Sequence, residues 1–179
     1  MWRRKVLTAM IIFMVTIAGG SACLLFLSLK ASPPSNLGVR DGRFAPCPES
    51  PNCVSTQSED SEHWISPLTV SSDTNDAIGV LETIVMQMPR TQVVEKSSTY
   101  LRVEFRSAVF RFADDVEFYL EPKSERIHFR SASRMGRSDL GVNRARMETI
   151  RGFFEATQSA LTTPPDSPAK SGPIVPVRS

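Results

Sequence analysis

Histidine is nearly absent from this chain: His63 and His128 are the only two among 179 residues, and neither sits in a catalytic spacing. There is no His-Glu-x-x-His helix, no Gly-x-Ser-x-Gly elbow and no phosphate-cradling Walker loop, which removes the common zinc-protease, serine-hydrolase and P-loop chemistries. A charge excess is missing too. Lys+Arg total 21 and Asp+Glu 19, a net charge of +2, whereas nucleic-acid binders usually show a broad basic excess. No nucleic-acid partner, no cofactor and no metal are therefore expected. Cysteine is scarce, with three residues, and no internal repeat is visible. The length suits one domain with additions at its ends.

What is present begins with a long apolar run. Arg3, Arg4 and Lys5 precede residues 6–29, a stretch of 24 residues with no charge, and about 20 helical residues span a bilayer core. Only Lys30 follows closely. The basic flank should stay in the cytoplasm and the rest of the chain should lie outside it. The alternative is a signal peptide cleaved after Ala31. Lipid modification at Cys23 is disfavoured, because Gly20 stands where a bulky aliphatic residue is usual and the apolar run continues through Leu27. Residues 1–36 are thus read as cytoplasmic stub, anchor and linker. At the other end, residues 162–179 are rich in Pro and Ser and read as a disordered tail. Residues 37–161 remain for a single domain.

Cys47 and Cys53 are six apart in CPESPNC, stiffened by Pro46, Pro48 and Pro51. Outside the cytoplasm a disulfide persists, and that is the expectation. The competing readings are free thiols or a metal site with His63, which lacks a fourth ligand and zinc-finger spacing.

The middle reads as α+β. Ala77, Leu81, Ile84, Val85 and Met88 form a helical stripe, with Ser72 or Asp73 as cap and Pro89 as terminator. QVVEK, YLRVEFRS, VFRFADDVEFYLE and RIHFRSAS then read as strands, and their strict alternation implies a sheet with one face buried. The short links KSS, SA and PKSE make this an antiparallel meander of four strands. Placing Glu121 opposite Arg126 sets Glu117 against Arg130 and Tyr119 against His128 on one face. Leu120 then meets Ile127, and Phe118 meets Phe129, on the other. A slip of one residue would lose both patterns. A second helix near 143–161 buries Met147, Ile150, Phe154 and Leu161. Arg144, Glu148, Arg151 and Glu155 form a separate, salt-bridged stripe. The two helices cover one face of the sheet.

Two features carry possible chemistry. Strand parity points Asp114 toward the core, where a carboxylate must be paired, protonated or displaced by a bulge. Asp115 and Glu117 share the opposite face beside Arg130. Adjacent carboxylates on a strand point apart, which argues against a catalytic Asp-Asp pair. The second feature is RSASRMGRSDLGVNRARMETIR, with arginines at 130, 134, 137, 144, 146 and 151. Its Gly/Ser-bearing loop feeds a helix N-terminus, capped by Asp139 or Asn143, where backbone N–H groups and the helix dipole favour an anion. Arg130, Arg134, Arg137 and Arg144 can add bidentate donors. The competing reading is structural, with these arginines bonded to Asp114, Asp115, Glu117 and loop carbonyls.

LGVRDGRFAPCPESPNCVS, FRSAVFRFADDVEFYLE and RSASRMGRSDLGVNRARMETIR, in that order, resemble the family catalogued as domain of unknown function 1499, found in bacteria and plastids. The resemblance covers about residues 37–151. It implies an exported or membrane-attached domain; in a bacterium this means a single-pass inner-membrane protein with a periplasmic domain. It carries no established activity, so it transfers no catalytic residue. The matching motif positions include Cys47, Cys53, Asp114, Asp115, Glu117, Arg130, Arg134, Gly136, Asp139, Gly141, Asn143 and Arg144. Arg137 stands where an aromatic residue is expected.

The functional expectation is a non-enzymatic, membrane-anchored extracytoplasmic domain that binds an anionic ligand or an envelope protein through its 130–151 region. One alternative is an enzyme acting on an anionic substrate with Asp114 or Asp115 as acid/base. The other is a scaffold subunit of a membrane complex.

Overall fold

Alternating apolar residues build the sheet. In Tyr100–Arg106 (β4) every second side chain, Leu101, Val103 and Phe105, is buried on one face. Ala113–Leu120 (β5) and Arg126–Ser133 (β6) continue that face with Val116, Phe118, Ile127 and Phe129. Thr91–Lys96 (β3) closes one edge, with a register shift between Val93 and Glu95. The β5–β6 register is the one expected from charge and apolar pairing: Glu117 faces Arg130, Tyr119 faces His128, Phe118 faces Phe129 and Leu120 faces Ile127. The computed structural model describes residues 2–72 and 74–162. Residues 163–179 of the expected tail, and the cap candidate Asp73, lie outside them.

The sheet has six strands, not four. Cys53–Ser55 (β1) and Leu68–Thr69 (β2) both pair antiparallel with β6, at different points along it. They are three and two residues long, too short for any periodicity to announce. A second correction concerns β5, which starts at Ala113 rather than at Val109. Residues 107–112 form the turn instead: Ser107 N donates to Phe112 O and Phe112 N to the Ser107 hydroxyl. The Phe110 and Phe112 rings pack on each other at 5.6 Å within that turn.

Ala77–Met86 (α2) and Val142–Thr162 (α3) cover the apolar face. Asp76 caps α2 and accepts from Gly79 N, in place of the expected Ser72 or Asp73. A glycine inside a helix costs about 1 kcal/mol relative to alanine, but a Cβ on Gly79 would collide with that carboxylate. Met147, Ile150 and Phe154 of α3 are fully buried, but Leu161 is exposed; the helix has passed the edge of the core by then, and Gln158 bonds Thr69 O at the last buried turn. Full burial of a Phe, Ile or Met side chain contributes about 1.5–3 kcal/mol.

At the N-terminus Trp2–Lys30 (α1) is a helix long and apolar enough to cross a membrane. The segment after it runs along the sheet face opposite α2 and α3. Ala31 O meets Arg134, Gly38 N meets Glu117, and Phe44 stands edge-on to the Tyr119 ring. The chain then returns through Pro46 and Cys47 to β1. The alternating polar face is therefore buried as well, and five of its charged residues, Glu104, Asp115, Glu117, Arg130 and Arg134, have side chains under 10 % exposed.

Candidate functional site

Strand β5 presents acids to both of its faces. Asp114 sits on the helix side, as parity requires, and no bulge displaces it. Its two oxygens accept from the Ser133 hydroxyl at 2.6 Å and from Arg146 Nη2 at 2.6 Å. Arg146 comes from the second turn of α3 and lies over the Phe105 ring, 4.6 Å from its centroid, so its charge is held by a carboxylate below and a π face beside it. Asn143 completes this cluster. Its amide donates to Asn52 O and the Ser133 hydroxyl, while its carbonyl accepts from Arg146 and from the Ser131 hydroxyl.

The N-terminus of α3 is filled by its own chain. The Asp139 carboxylate accepts from Gly141 N at 3.1 Å and Asn143 N at 2.7 Å. That is the position reserved for an external anion in the helix-terminus reading. Arg144 turns away and donates to Glu62 O and Trp64 O. Arg151, two stripe positions on, donates to Ser66 O and Pro67 O and pairs with Glu148. Of the expected salt-bridged stripe only Glu148 and Arg151 pair among the described residues, and its two arginines clamp residues 62–67. Arg137 is exposed and makes no hydrogen bond or ion pair among the described residues.

The other face of β5 gathers a larger cluster. Arg134 holds Asp115 with two parallel bonds, at 2.7 and 2.8 Å, and reaches Glu104 at 2.5 Å. Arg106 pairs with the same Glu104 at 2.6 Å. The bidentate bond to Asp115 is the leading cause that holds the Arg134 guanidinium above its ordinary range. Both Asp114 and Asp115 have their oxygens committed to arginine or serine donors.

Glu117 and Arg130 are different. Glu117 is fully buried, and its Oε1 accepts from Gly38 N at 2.6 Å and from the Tyr100 hydroxyl at 2.8 Å. Gly38 reaches it from a φ of 99°, a left-handed backbone that glycine adopts without penalty. Oε2 makes no hydrogen bond. It faces Arg130 Nη1 at 3.6 Å, within ion-pair range but beyond hydrogen-bond reach. Arg130 is only 6 % exposed. None of its N–H groups has a hydrogen-bond acceptor among the described residues, and its Nε is fully buried without one. Burial pushes the Glu117 carboxyl up and the Arg130 guanidinium down; the mutual attraction opposes both shifts. Burial, then Glu117, raises the Tyr100 phenol.

Arg130 lines a hollow of about 360 Å³ with Arg134, Asp115, Ser133, Pro34, Asn36 and the disulfide loop at Pro46–Pro48. The Cys47–Cys53 disulfide is formed, which removes both sulfurs from any metal site; His63 bonds Cys53 O instead. Asn52, inside that loop, donates to Gly136 O at 2.6 Å and accepts from Ser133 N, so the cysteine loop and the arginine-bearing loop are tied together. A second hollow of about 440 Å³, between α2 and α3, is lined by Val80, Met88, Phe153 and neighbours with no charged group.

The structure therefore brings Arg130, Arg134, Asp115 and Glu117 together and sends Arg137 and Arg144 elsewhere. Sequence reasoning passed over Glu104, Tyr100 and Asn52 as site residues, and it reached Arg146 only as one arginine of the 130–146 stretch that could pair with Asp114. Glu104 had a usable signal: continuing the strand register by one hairpin sets it opposite Asp115, and facing carboxylates demand a shared cation.

A family model described as "Protein of unknown function (DUF1499)" matches residues 43–154. No curated protein and no solved structure matches the chain.

Proposed function

Since the chain belongs to the DUF1499 family, whose description names no activity, we propose from the geometry that it is a membrane-anchored extracytoplasmic domain that binds a small anion beside Arg130. The observation that carries this is the Arg130 guanidinium: buried, without a hydrogen-bond acceptor among the described residues, and bordering a cavity. Burying donors without acceptors costs more than burying them paired, and a charged donor costs most. A carboxylate or phosphate in the cavity supplies the planar, bidentate acceptor that a guanidinium fits. The placement outside the cytoplasm is supported by the basic residues Arg3, Arg4 and Lys5 before α1 and by the Cys47–Cys53 disulfide.

The test is thermal unfolding of the full chain in detergent, with inorganic phosphate, acetate or succinate raised through the millimolar range. At a concentration ten times Kd, binding stabilises by about 1.4 kcal/mol. One of these anions should raise the Tm of the native chain. It should leave an Arg130→Met, Glu117→Gln double variant unmoved; that variant removes both members of the buried pair and so leaves no orphaned charge. No shift with any of the three, or the same shift in both proteins, refutes the reading.

A further inference from the structure

The antiparallel order gathers several chain ends at one end of the sheet: the close of β4, the start of β5, the close of β6 and the start of α3. The last turn of α1 is there too. The Ser28 hydroxyl donates to Phe110 O in the 107–112 turn, and Ala31 O accepts from Arg134. These contacts fix the height of that turn relative to a bilayer. The hydrocarbon core takes up about 20 helical residues, so an uncharged stretch starting at Val6 is used up near Leu25. Ser28 then lies about 4–5 Å farther out, at 1.5 Å rise per residue. That is within the headgroup layer, and the turn bonded to it is at the same depth.

The side chains at this end fit that depth. Val109 is 73 % exposed, Leu140 94 % and Val142 50 %. Val142 and Ser107 border one hollow, so the β4–β5 turn and the entry to α3 are neighbours. Leu140 and Arg111 hold φ values of 56° and 57°, a backbone conformation that side chains rarely adopt and that persists where the surroundings enforce it. Lys30 ends α1 with its ammonium over the Phe26 ring, Arg111 lies in the turn and Arg137 precedes Leu140 in its loop, and none is in an ion pair among the described residues. Apolar tips interspersed with unpaired cations are what an anionic lipid surface accepts: apolar groups enter the boundary and cations meet phosphates.

We propose that this end of the domain, the 107–112 turn together with Leu140 and Val142, seats on the lipid headgroup layer and inserts Val109 and Leu140 into it. The anchor then holds the domain in one orientation on the membrane rather than on a free tether. This rests on the anchoring half of the function proposed above and not on anion binding.

The experiment uses the full chain with Trp2→Phe and Trp64→Phe, so that a single tryptophan at Val109→Trp reports. It is reconstituted in phosphatidylcholine vesicles with one-fifth phosphatidylglycerol, a fraction of the lipids carrying a shallow spin label. Emission from position 109 should be quenched by the lipid label and shielded from aqueous acrylamide. A Lys123→Trp chain, at the β5–β6 turn of the opposite end, should show the reverse. Adding Arg111→Glu and Arg137→Glu should lower the docked-to-undocked ratio by at least about fivefold per position in the anionic vesicles. Position 109 quenched no more than position 123, in a chain that floats with the vesicles, overturns this inference alone. A chain that does not float overturns the anchor and this inference together. Shielding seen in native membranes but not in vesicles means that a protein covers the surface, and overturns the lipid assignment.

Discussion

Arg134→Ala is the substitution that most directly tests the buried ionic layer. The Arg134 side chain is 3 % exposed, and it holds Asp115 through two bonds and Glu104 through a third. Removing it leaves Asp115, 1 % exposed, with neither of its bonds, while Glu104 keeps only Arg106. Removing one partner of a buried pair costs about 3–5 kcal/mol, because the remaining charge is uncompensated. A domain of this size has about 5–15 kcal/mol in total, so the loss is a fifth of it at the least. Urea unfolding of the full chain in detergent, followed by Trp64 fluorescence with Trp2→Phe, reads the change in midpoint at constant m. Arg137→Ala, at an exposed arginine without a partner, serves as control and should stay within about 0.5 kcal/mol. The double variant Arg134→Met, Asp115→Asn should cost less than Arg134→Ala alone, since it removes the orphaned charge as well. A single-variant loss under about 1 kcal/mol would mean that the pair behaves as a surface ion pair. A double variant as costly as the sum of its two single variants would mean that packing, not charge compensation, carries the effect. Either result refutes the reasoning.

Two further predictions concern the same layer. Burial holds the Glu117 carboxyl above its ordinary value of 4.5, so the folded state keeps its proton more tightly than the unfolded chain. The stability that this contributes is fully present below about pH 4.5 and is lost as pH rises through the folded value. Urea midpoints of Glu117→Gln against the native chain, taken between pH 4 and pH 8, should differ increasingly in favour of the variant as pH rises; a difference that is flat or reversed refutes the assignment. The Cys47–Cys53 bridge closes a short loop with a sequence separation of 6, for which chain entropy predicts about 2 kcal/mol. The Cys47→Ser, Cys53→Ser chain should unfold at correspondingly lower urea and loosen the Asn52–Gly136 contact, visible as faster amide exchange in 134–139; unchanged exchange there would show that the loops are not tied through the disulfide.

The β5–β6 hairpin was legible because two independent patterns agree on one register: opposite charges on one face and apolar partners on the other. The helix stripes were legible for the same reason, over enough turns to average out a single glycine. The 107–112 turn misled because Val109, Phe110, Arg111 and Phe112 alternate like a strand, while the Phe110 and Phe112 rings pack on each other and the Phe110 carbonyl accepts from Ser28 at the end of α1. Burial of the polar face was illegible for a deeper reason. Alternation reports which residues share a face, not whether that face meets water. The cover is a non-periodic segment that docks through a glycine N–H, an alanine carbonyl and prolines, and none of these leaves a hydrophobic pattern. Asn52 and Arg146 act across 84 and 32 residues of sequence, a range on which local spacing is silent.

The balance of charge in that covered face explains why the proposed site falls at Arg130 and at no other arginine. Glu104, Asp115 and Glu117 face Arg106, Arg130 and Arg134, three charges against three, so the cluster can be buried without a net charge to desolvate. The hydrogen bonds are shared out unevenly. Arg134 takes both oxygens of Asp115, one of Glu104 and a backbone carbonyl. Glu117 satisfies Oε1 twice and Oε2 not at all. Arg130 is left with attraction at 3.6 Å and no acceptor among the described residues. The desolvation cost is therefore concentrated in one pair, and burial shifts both of its members toward their neutral forms. An anion entering beside Arg134 would displace carboxylates already bonded there. One meeting Arg137 or Arg144 would remain in water, where screening leaves little to gain. Beside Arg130 it would meet a largely buried cation with no hydrogen-bond acceptor among the described residues, so its own loss of water would be offset by bonds that no described residue has to give up.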